Sequence, residues 1–545
     1  MTRPLLGLAL WGSLLIPRAA LGQASVLPGT LVIAVAREAI SPVPTLWASD
    51  HPSQEVSDLL FLHLADLGPT LSTTDESSFV PRLARRWTRR DPQTLIFELD
   101  PRAQWQDGVP VTARDVVFAL ERARNPNLSP QLAALLGRID RVTARDNHRV
   151  EIHYRLAYAE QLYDAVFHAP PLPAHLLTGV APESLATAPF RSRPVGNGPY
   201  SITRWEPGKI LELTANPAFF LGKPGIHRVV FLPSPDPETR VNLMLAGEVD
   251  AVENLYSLPN WHRVEALPAF HYYPVPGLGV VYSVFNQRDP ADTSRPHPIF
   301  TDPVVRQALV QLLDREVLSR AAYGNLTEVP DAPVSAVLGR AITLPPHLAV
   351  DTSLSRRHLA ASGWLDHDED GVLDKNGRPL AFALMVPSVS ASRMAMAATM
   401  QEAWRRAGVR VQVEPVEPPV YVERRNAGRF DLDLYSVIQD PTPSGLAQSW
   451  SCAGIGGSNA GYFCDPVVDT LLAQAGRSLT ASHRLYQDAV RRLAEDVPAI
   501  FLAAPVNSVP VHRRFANVVL RPESFWAAVW QWRILPGAEL ERDRR

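Results

Sequence analysis

The chain has 545 residues, 20% of them charged, a formal net charge of −3 and only two cysteines. That length is too great for one hydrophobic core and predicts two or three domains. Near-neutral charge without a basic block argues against nucleic-acid binding.

Residues 1–24 carry Arg3, an apolar run from Leu5 to Ile16, then small residues suited to cleavage near 22–24. This predicts a secretory signal peptide, too short and too weakly flanked for a membrane anchor. No cysteine follows the run to take a bacterial lipid anchor, and no later stretch is apolar for long enough to span a bilayer. The mature chain is therefore expected to be soluble and exported. LVIAVA (31–36) and TLIFEL (94–99) read as buried strands. VTARDVVFALERA reads as a helix, with Thr112 and Asp115 forming its capping box. KILELTANP (209–217) and IHRVVFLP (226–233) read as paired strands. Asp236-Pro237 and Asp302-Pro303 each open a helix, and Gly247 closes the first. A helix over 394–408, the alternating strand VRVQVEPV, the helix HRLYQDAVRRLAED and the strand AIFLAA complete an α/β pattern. The 51 prolines are scattered and read as loop punctuation. The tail ELERDRR reads as frayed.

Catalytic signatures are absent: no G-x-S-x-G elbow, no H-E-x-x-H pair and no Walker loop. GNGPYS (196–201) lacks the third glycine of a dinucleotide loop, and Pro199 removes an N–H that a phosphate would want. The 15 histidines show no ligand spacing, and no cofactor is expected. DHDEDGVLDKNG (366–377) sets Asp366, Asp368 and Asp370 at the first, third and fifth positions of a calcium loop. Position twelve, where a bidentate carboxylate is required, is Gly377, so a solvated acidic turn is the favoured reading. Export makes a disulfide between Cys452 and Cys464 the expected state, with two buried thiols as the alternative.

Several segments together resemble one family, the large extracytoplasmic solute-binding proteins of family 5, receptors for peptides, dipeptides and nickel in ABC import. The landmarks are Pro81, Leu83, Ala84 and Trp87, then Phe97 and Leu99, then Trp105, Asp107 and Gly108, then Thr112, Ala113, Asp115 and Val116. VGNGPYSITRWEPGKILELTANPAFFLGKP, GEVDAV, DPVVRQALVQLLDREVL, DEDGVLDKNG, RAGVRVQV and FDLDLYSV follow in family order. SCAGIGGSNAGYFCDPVVD is similar to the cysteine-bracketed loop of dipeptide receptors. The resemblance implies a two-lobed α/β fold of mixed sheets with a hinge and a domain inserted in the first lobe. Lobe 1 would comprise 25–55, 186–283 and 508–545, the insert 56–185, and lobe 2 residues 284–507.

The same resemblance implies the site. Peptide-binding relatives grip a ligand's α-ammonium with an aspartate nine residues beyond an F-D pair. Counting from Asp431 reaches Asp440, whose other reading is a turn residue before Pro441. Tyr435, Ser436 and Val437 would line the pocket. Arg393, displaced from the family position, is the one candidate for a ligand carboxylate. The expected function is a monomeric periplasmic receptor, not an enzyme, that passes an oligopeptide or other amine-bearing solute to a membrane permease. A nickel chelate, haem, an opine or a sugar derivative are alternative ligands. A secreted peptide hydrolase and a chaperone-like binder are alternatives of another class.

Overall fold

The computed structural model describes residues 29–44, 46, 50–253, 255, 258–335, 348–438 and 442–544. The expected signal peptide and Asp440 lie outside the described residues.

A twelve-stranded sheet runs through the molecule, and one strand holds it together. Ala499–His512 pairs along its first part with Gly279–Phe285 and along its second with Phe270–Pro276. The predicted strand AIFLAA is thus only the first half of a 14-residue strand. Pro505 lies where the ladder passes from one partner to the other, and there Gly277 N–H donates to its carbonyl at 3.3 Å. Chain crosses between the two lobes at 276–279 and again near 504–506.

Separate cores sit on either side of the crossing. One lobe packs Leu31, Ile33, Trp105, Val229 and Trp526 into its core, with a second cluster around Val32, Met244 and Val264. The other packs Phe285, Phe300, Leu384 and Trp404 on one sheet face and Tyr282, Trp450, Val468 and Phe501 on the other. Alternation along Gly279–Phe285 explains the split, since odd and even residues of a strand point to opposite faces. A four-stranded antiparallel sheet, in the order Ala84–Asp91, Thr94–Leu99, Arg149–Tyr154, Ile139–Ala144, joins the first lobe.

Most local expectations hold. Asp115 accepts from Thr112 N–H at 2.7 Å and closes the capping box of helix Ala113–Ala123. Asp236 caps helix Pro237–Leu245 through Thr239 N–H, and Gly247 follows with φ +70. Glycines of the GNGPYS loop are there for close packing. A Cβ at Gly196 would stand 2.0 Å from the Leu60 carbonyl oxygen, and Gly198 N–H donates to that same oxygen.

The tail corrects the sequence reading. The described part of ELERDRR, through 544, is not frayed: Asp543 is 1% exposed, accepts from Thr30 N–H at 2.8 Å and pairs with Arg514 at 2.6 Å. The charges that suggested a solvated end are the ones that dock it, because a buried Arg514 needs two carboxylates, Asp543 and Asp250. Among the described residues no helix is long and apolar enough to cross a membrane.

Candidate ligand-binding crevice

Strand directions place the crevice. In the second lobe Ala381–Pro387, Arg410–Val416 and Leu432–Ile438 run parallel to one another. Leu432–Ile438 is antiparallel to Gly279–Phe285, which is antiparallel to Ala499–His512. The three parallel strands therefore run in the same sense as the long strand, toward the first lobe. In that lobe Thr30–Val35 and Ala251–Val252 are parallel to each other and opposed to the long strand. Both sets of carboxyl ends thus face each other across the crossing. Ligands of open α/β sheets bind outside the carboxyl ends of strands, so this arrangement makes a binding crevice with a wall in each lobe.

The second lobe's wall carries the candidates from the sequence. Tyr435, Ser436 and Val437 lie near the carboxyl end of Leu432–Ile438, opposite Tyr282, Val281 and Val280. Tyr435 is half-buried, its ring 6.2 Å from Tyr282 and stacked on Tyr421 at 6.1 Å. Val437 shares that face; Ser436 points to the other. Arg393 stands in the first turn of helix Ala391–Arg405, which starts just past Pro387, and donates from Nε to Ser390 Oγ at 3.0 Å. It belongs to the same edge of the sheet as Tyr435.

Beneath Tyr435 lies a charged layer that sequence reasoning missed. Asp433, fully buried, accepts from Arg425 Nε at 2.8 Å, from Tyr421 Oη at 3.3 Å and from Val284 N–H at 3.1 Å. Burial drives the Tyr421 phenol far above its ordinary value; the Asp433 charge adds to this, and Arg425 and Arg393 oppose it. The available signal was the spacing of Tyr421 and Arg425, four apart on one face of helix Pro418–Asn426. Asp431, from which the count to Asp440 starts, is a framework residue. It accepts from Ala383 N–H at 2.8 Å and faces His297 Nε2 at 3.1 Å.

The first lobe's wall is acidic. Arg37, Glu38, Glu55 and Glu253 line a narrow pocket with Val56, Phe231 and Trp526. Glu38 accepts from Trp205 Nε1 at 2.8 Å and from Gly208 N–H at 2.7 Å. Glu253 accepts from Ala36 N–H at 3.1 Å, and burial holds its carboxyl above the usual range. A side-chain contact joins the lobes beside the crevice: Ser444 Oγ donates to Glu160 Oε2 at 2.7 Å.

Cys452 and Cys464 are disulfide-bonded. Helix Pro443–Trp450 ends just before the bridge, and Asp465, directly after it, caps helix Pro466–Arg477. Buried Asn459 holds the loop from within, donating to the carbonyls of Ser451 at 2.9 Å and Phe463 at 2.7 Å. In the acidic turn, Asp366, Asp368 and Asp370 do converge. Asp370, however, pairs with Arg410 at 3.0 Å, and Asp366 accepts from Gly371 N–H at 3.1 Å. The cluster is exposed and sits at the amino ends of strands Ala381–Pro387 and Arg410–Val416, away from their crevice ends.

Comparison with known proteins gives the same architecture. The family described as bacterial extracellular solute-binding proteins, family 5 middle, matches residues 78–457. The oligopeptide-binding protein AppA of Bacillus subtilis is 24% identical over 505 residues, covering 90% of this chain and 88% of its own. The periplasmic murein peptide-binding protein MppA of Escherichia coli is 26% identical over 515 residues, covering 89% and 91%. The solved structure of Bacillus subtilis AppA with a nonapeptide superposes with a TM-score of 0.71 at 22% identity, covering 93% of this chain and 99% of that one. NikZ of Campylobacter jejuni with Ni(L-His) gives 0.72 at 23% identity, covering 92% and 99%. The two-lobed fold, the facing carboxyl ends and the match over most of its length lead to one conclusion: this chain belongs to family 5 of the bacterial extracellular solute-binding proteins.

Proposed function

We propose that this chain is the exported receptor of an ABC importer, capturing a peptide or similar amine-bearing solute between its lobes and passing it to a membrane permease. The facing carboxyl ends carry the reading: they create a space walled by both lobes, where closing of the hinge would enclose a guest. The acidic wall, with Glu253 and Glu38, favours a cationic amine. Arg393, beside Tyr435 on the opposite wall, suits a carboxylate. Such a division of charge matches a zwitterionic solute, and peptide-binding relatives in the comparison point the same way. Residues 1–24 would direct export and be removed. The lobe limits, with the insert at 56–185 and lobe 2 at 284–507, stay part of this proposal; two passages of the chain between the cores, at 276–279 and 504–506, support a second lobe of about that extent, with strand Gly279–Phe285 packed in its cores. The chain would perform no chemistry on its ligand and act as a monomer.

Native mass spectrometry of the protein purified without denaturation is the direct test. A co-purifying mass that fragments as a peptide, with 1:1 calorimetric binding and no cleavage products, is the expected result. A metal chelate, tetrapyrrole or sugar in its place would overturn the peptide assignment, and turnover would overturn the receptor reading.

A further inference from the structure

Beside the Ser444–Glu160 contact a broad open groove runs between the lobes along the disulfide loop. Its floor is made of small residues, Ala447, Ser451, Gly454 and Gly457 among them, and its sides carry Arg138 and Arg477. Arg138 comes from the first lobe, directly before strand Ile139–Ala144, and its guanidinium lies 4.7 Å over the buried Tyr158 ring. Arg477 ends helix Pro466–Arg477 of the second lobe. Both are exposed. Among the described residues neither has an ion-pair partner, although most arginines of this chain do. Three carboxylates lie near the groove and have other partners: Asp469, which lines it but stands more than two helical turns from Arg477, accepts from Cys452 N–H at 2.9 Å, Asp140 faces Arg155 at 3.7 Å, and Glu160 accepts from Ser444.

Two cations on opposite lobes repel one another as the lobes approach, unless a counter-charge lies between them. A carboxylate there turns one repulsion into two charge-assisted contacts. The small-residue floor leaves room for an extended backbone, and the groove starts at Ser444, in the first turn of the helix that follows the crevice strand Leu432–Ile438. We propose that this groove is a subsite for the anionic end of a peptide that extends out of the crevice, its carboxylates bridging Arg138 and Arg477 and favouring closure. The assignment rests on the peptide-receptor reading and narrows it to ligands with an acidic end.

The test exposes the full mature chain to a pool of random hexapeptides and reads the bound fraction by mass spectrometry. The expected result is at least a fivefold enrichment of Asp and Glu at one end of the bound peptides. In the Arg138→Gln/Arg477→Gln double variant the enrichment should vanish while total peptide uptake persists. Enrichment absent from the unaltered protein, or unchanged in the variant, overturns the subsite and leaves the peptide reading intact. No uptake of any peptide overturns both, and is told apart by that fact. Unchanged peptide selection with reduced transport into permease-containing vesicles would make the groove a permease contact instead, overturning the proposal. An independent arm uses no ligand: Arg477→Glu should shrink the radius of gyration in solution scattering, and adding Arg138→Glu should restore it. An unchanged radius overturns the bridging geometry.

Discussion

Arg425 lies with its guanidinium 4.1 Å above the Tyr435 ring while its Nε donates to Asp433 at 2.8 Å. The pair is almost wholly removed from water, with side-chain exposures of 10% and 0%. Arg425 thus braces strand Leu432–Ile438 from within and packs on the Tyr435 ring, without needing to touch a ligand. Removing one partner of a buried pair strands the other charge and costs about 3–5 kcal/mol. Arg425→Met should lower stability by that amount in urea unfolding. Adding Asp433→Leu should restore much of it, since an apolar pair leaves no stranded charge. A double variant no better than the single would show that packing on Tyr435, and not the charge, is what matters.

Asp440, which the family resemblance offers as a grip for the ligand amine in place of the first lobe's acidic wall, is tested separately. Asp440→Asn keeps the side chain's shape and removes its charge. For a free-amine ligand, affinity should fall by about 2 kcal/mol or more, because a buried charge pair is broken. N-acetylated versions of the same ligand should bind both proteins alike. Calorimetry giving equal affinity for the free amine would return Asp440 to the role of a turn residue before Pro441.

At the opposite end of the molecule, Asp543 and Asp250 enclose Arg514, which is 3% exposed. Asp543→Ala would leave Arg514 with one carboxylate and uncap Thr30 N–H, the first donor of the opening strand. A loss of about 3 kcal/mol or more in the first lobe is expected, read as a lower denaturation temperature with the second lobe unaffected. A loss below about 0.5 kcal/mol would class the docked tail as an accessory contact.

These two networks show where sequence reading succeeds and where it stops. Capping residues, helix-stopping glycines and alternating strands are local signals, and Thr112, Asp236, Gly247 and Arg410–Val416 were placed by them. Family order then supplied the two lobes. Neither signal reaches contacts set by the distant return of the chain. Asp543 meets Thr30 across 513 positions, so a charged tail looked solvated when read alone. The strand Ala499–His512 was cut short because Pro505 and Pro510 resemble breakers, and only its pairing on both sides shows why they are tolerated. In the crevice, Tyr435, Ser436, Val437 and Arg393 were named from resemblance. Arg425 and Tyr421 were missed because their four-residue spacing marks only a shared helix face and does not reveal the partner, Asp433, on a neighbouring strand.

Gly277 controls how closely the two crossings approach. A Cβ there would stand 2.7 Å from the Pro505 carbonyl oxygen, and backbone cannot swing aside as a side chain can. Gly277→Ala should cost about 1–3 kcal/mol through this overpacking. It should also shift the open–closed balance, altering affinity although no ligand contact changes. Scattering with and without ligand would register this as an altered compaction on binding. Unaltered affinity and compaction would mean that the crossing accommodates a methyl group by a local shift.

His51 supplies a pH dependence with a defined sign. Burial by itself would lower its imidazole, but the hydrogen bond and charge of Glu55, helped by Glu253 and Asp58, overcome this and raise it from 6.5 to about 9. A group whose folded value lies above its unfolded one binds protons more tightly in the native state. Its contribution is fully present below pH 6.5 and disappears as pH rises through about 9. The interval corresponds to at most about 3 kcal/mol. With 35% of the His51 side chain exposed, solvent screening reduces this to about 1–2 kcal/mol. The stability difference between the unaltered protein and His51→Gln, from urea unfolding, should therefore shrink by that amount between pH 6 and pH 9.5. The loss should fall on the first lobe, where Glu55 also holds the N–H groups of Phe525 and Trp526 at 2.8 and 3.0 Å. A difference that stays constant across the range would show that His51 binds Glu55 through a neutral hydrogen bond alone.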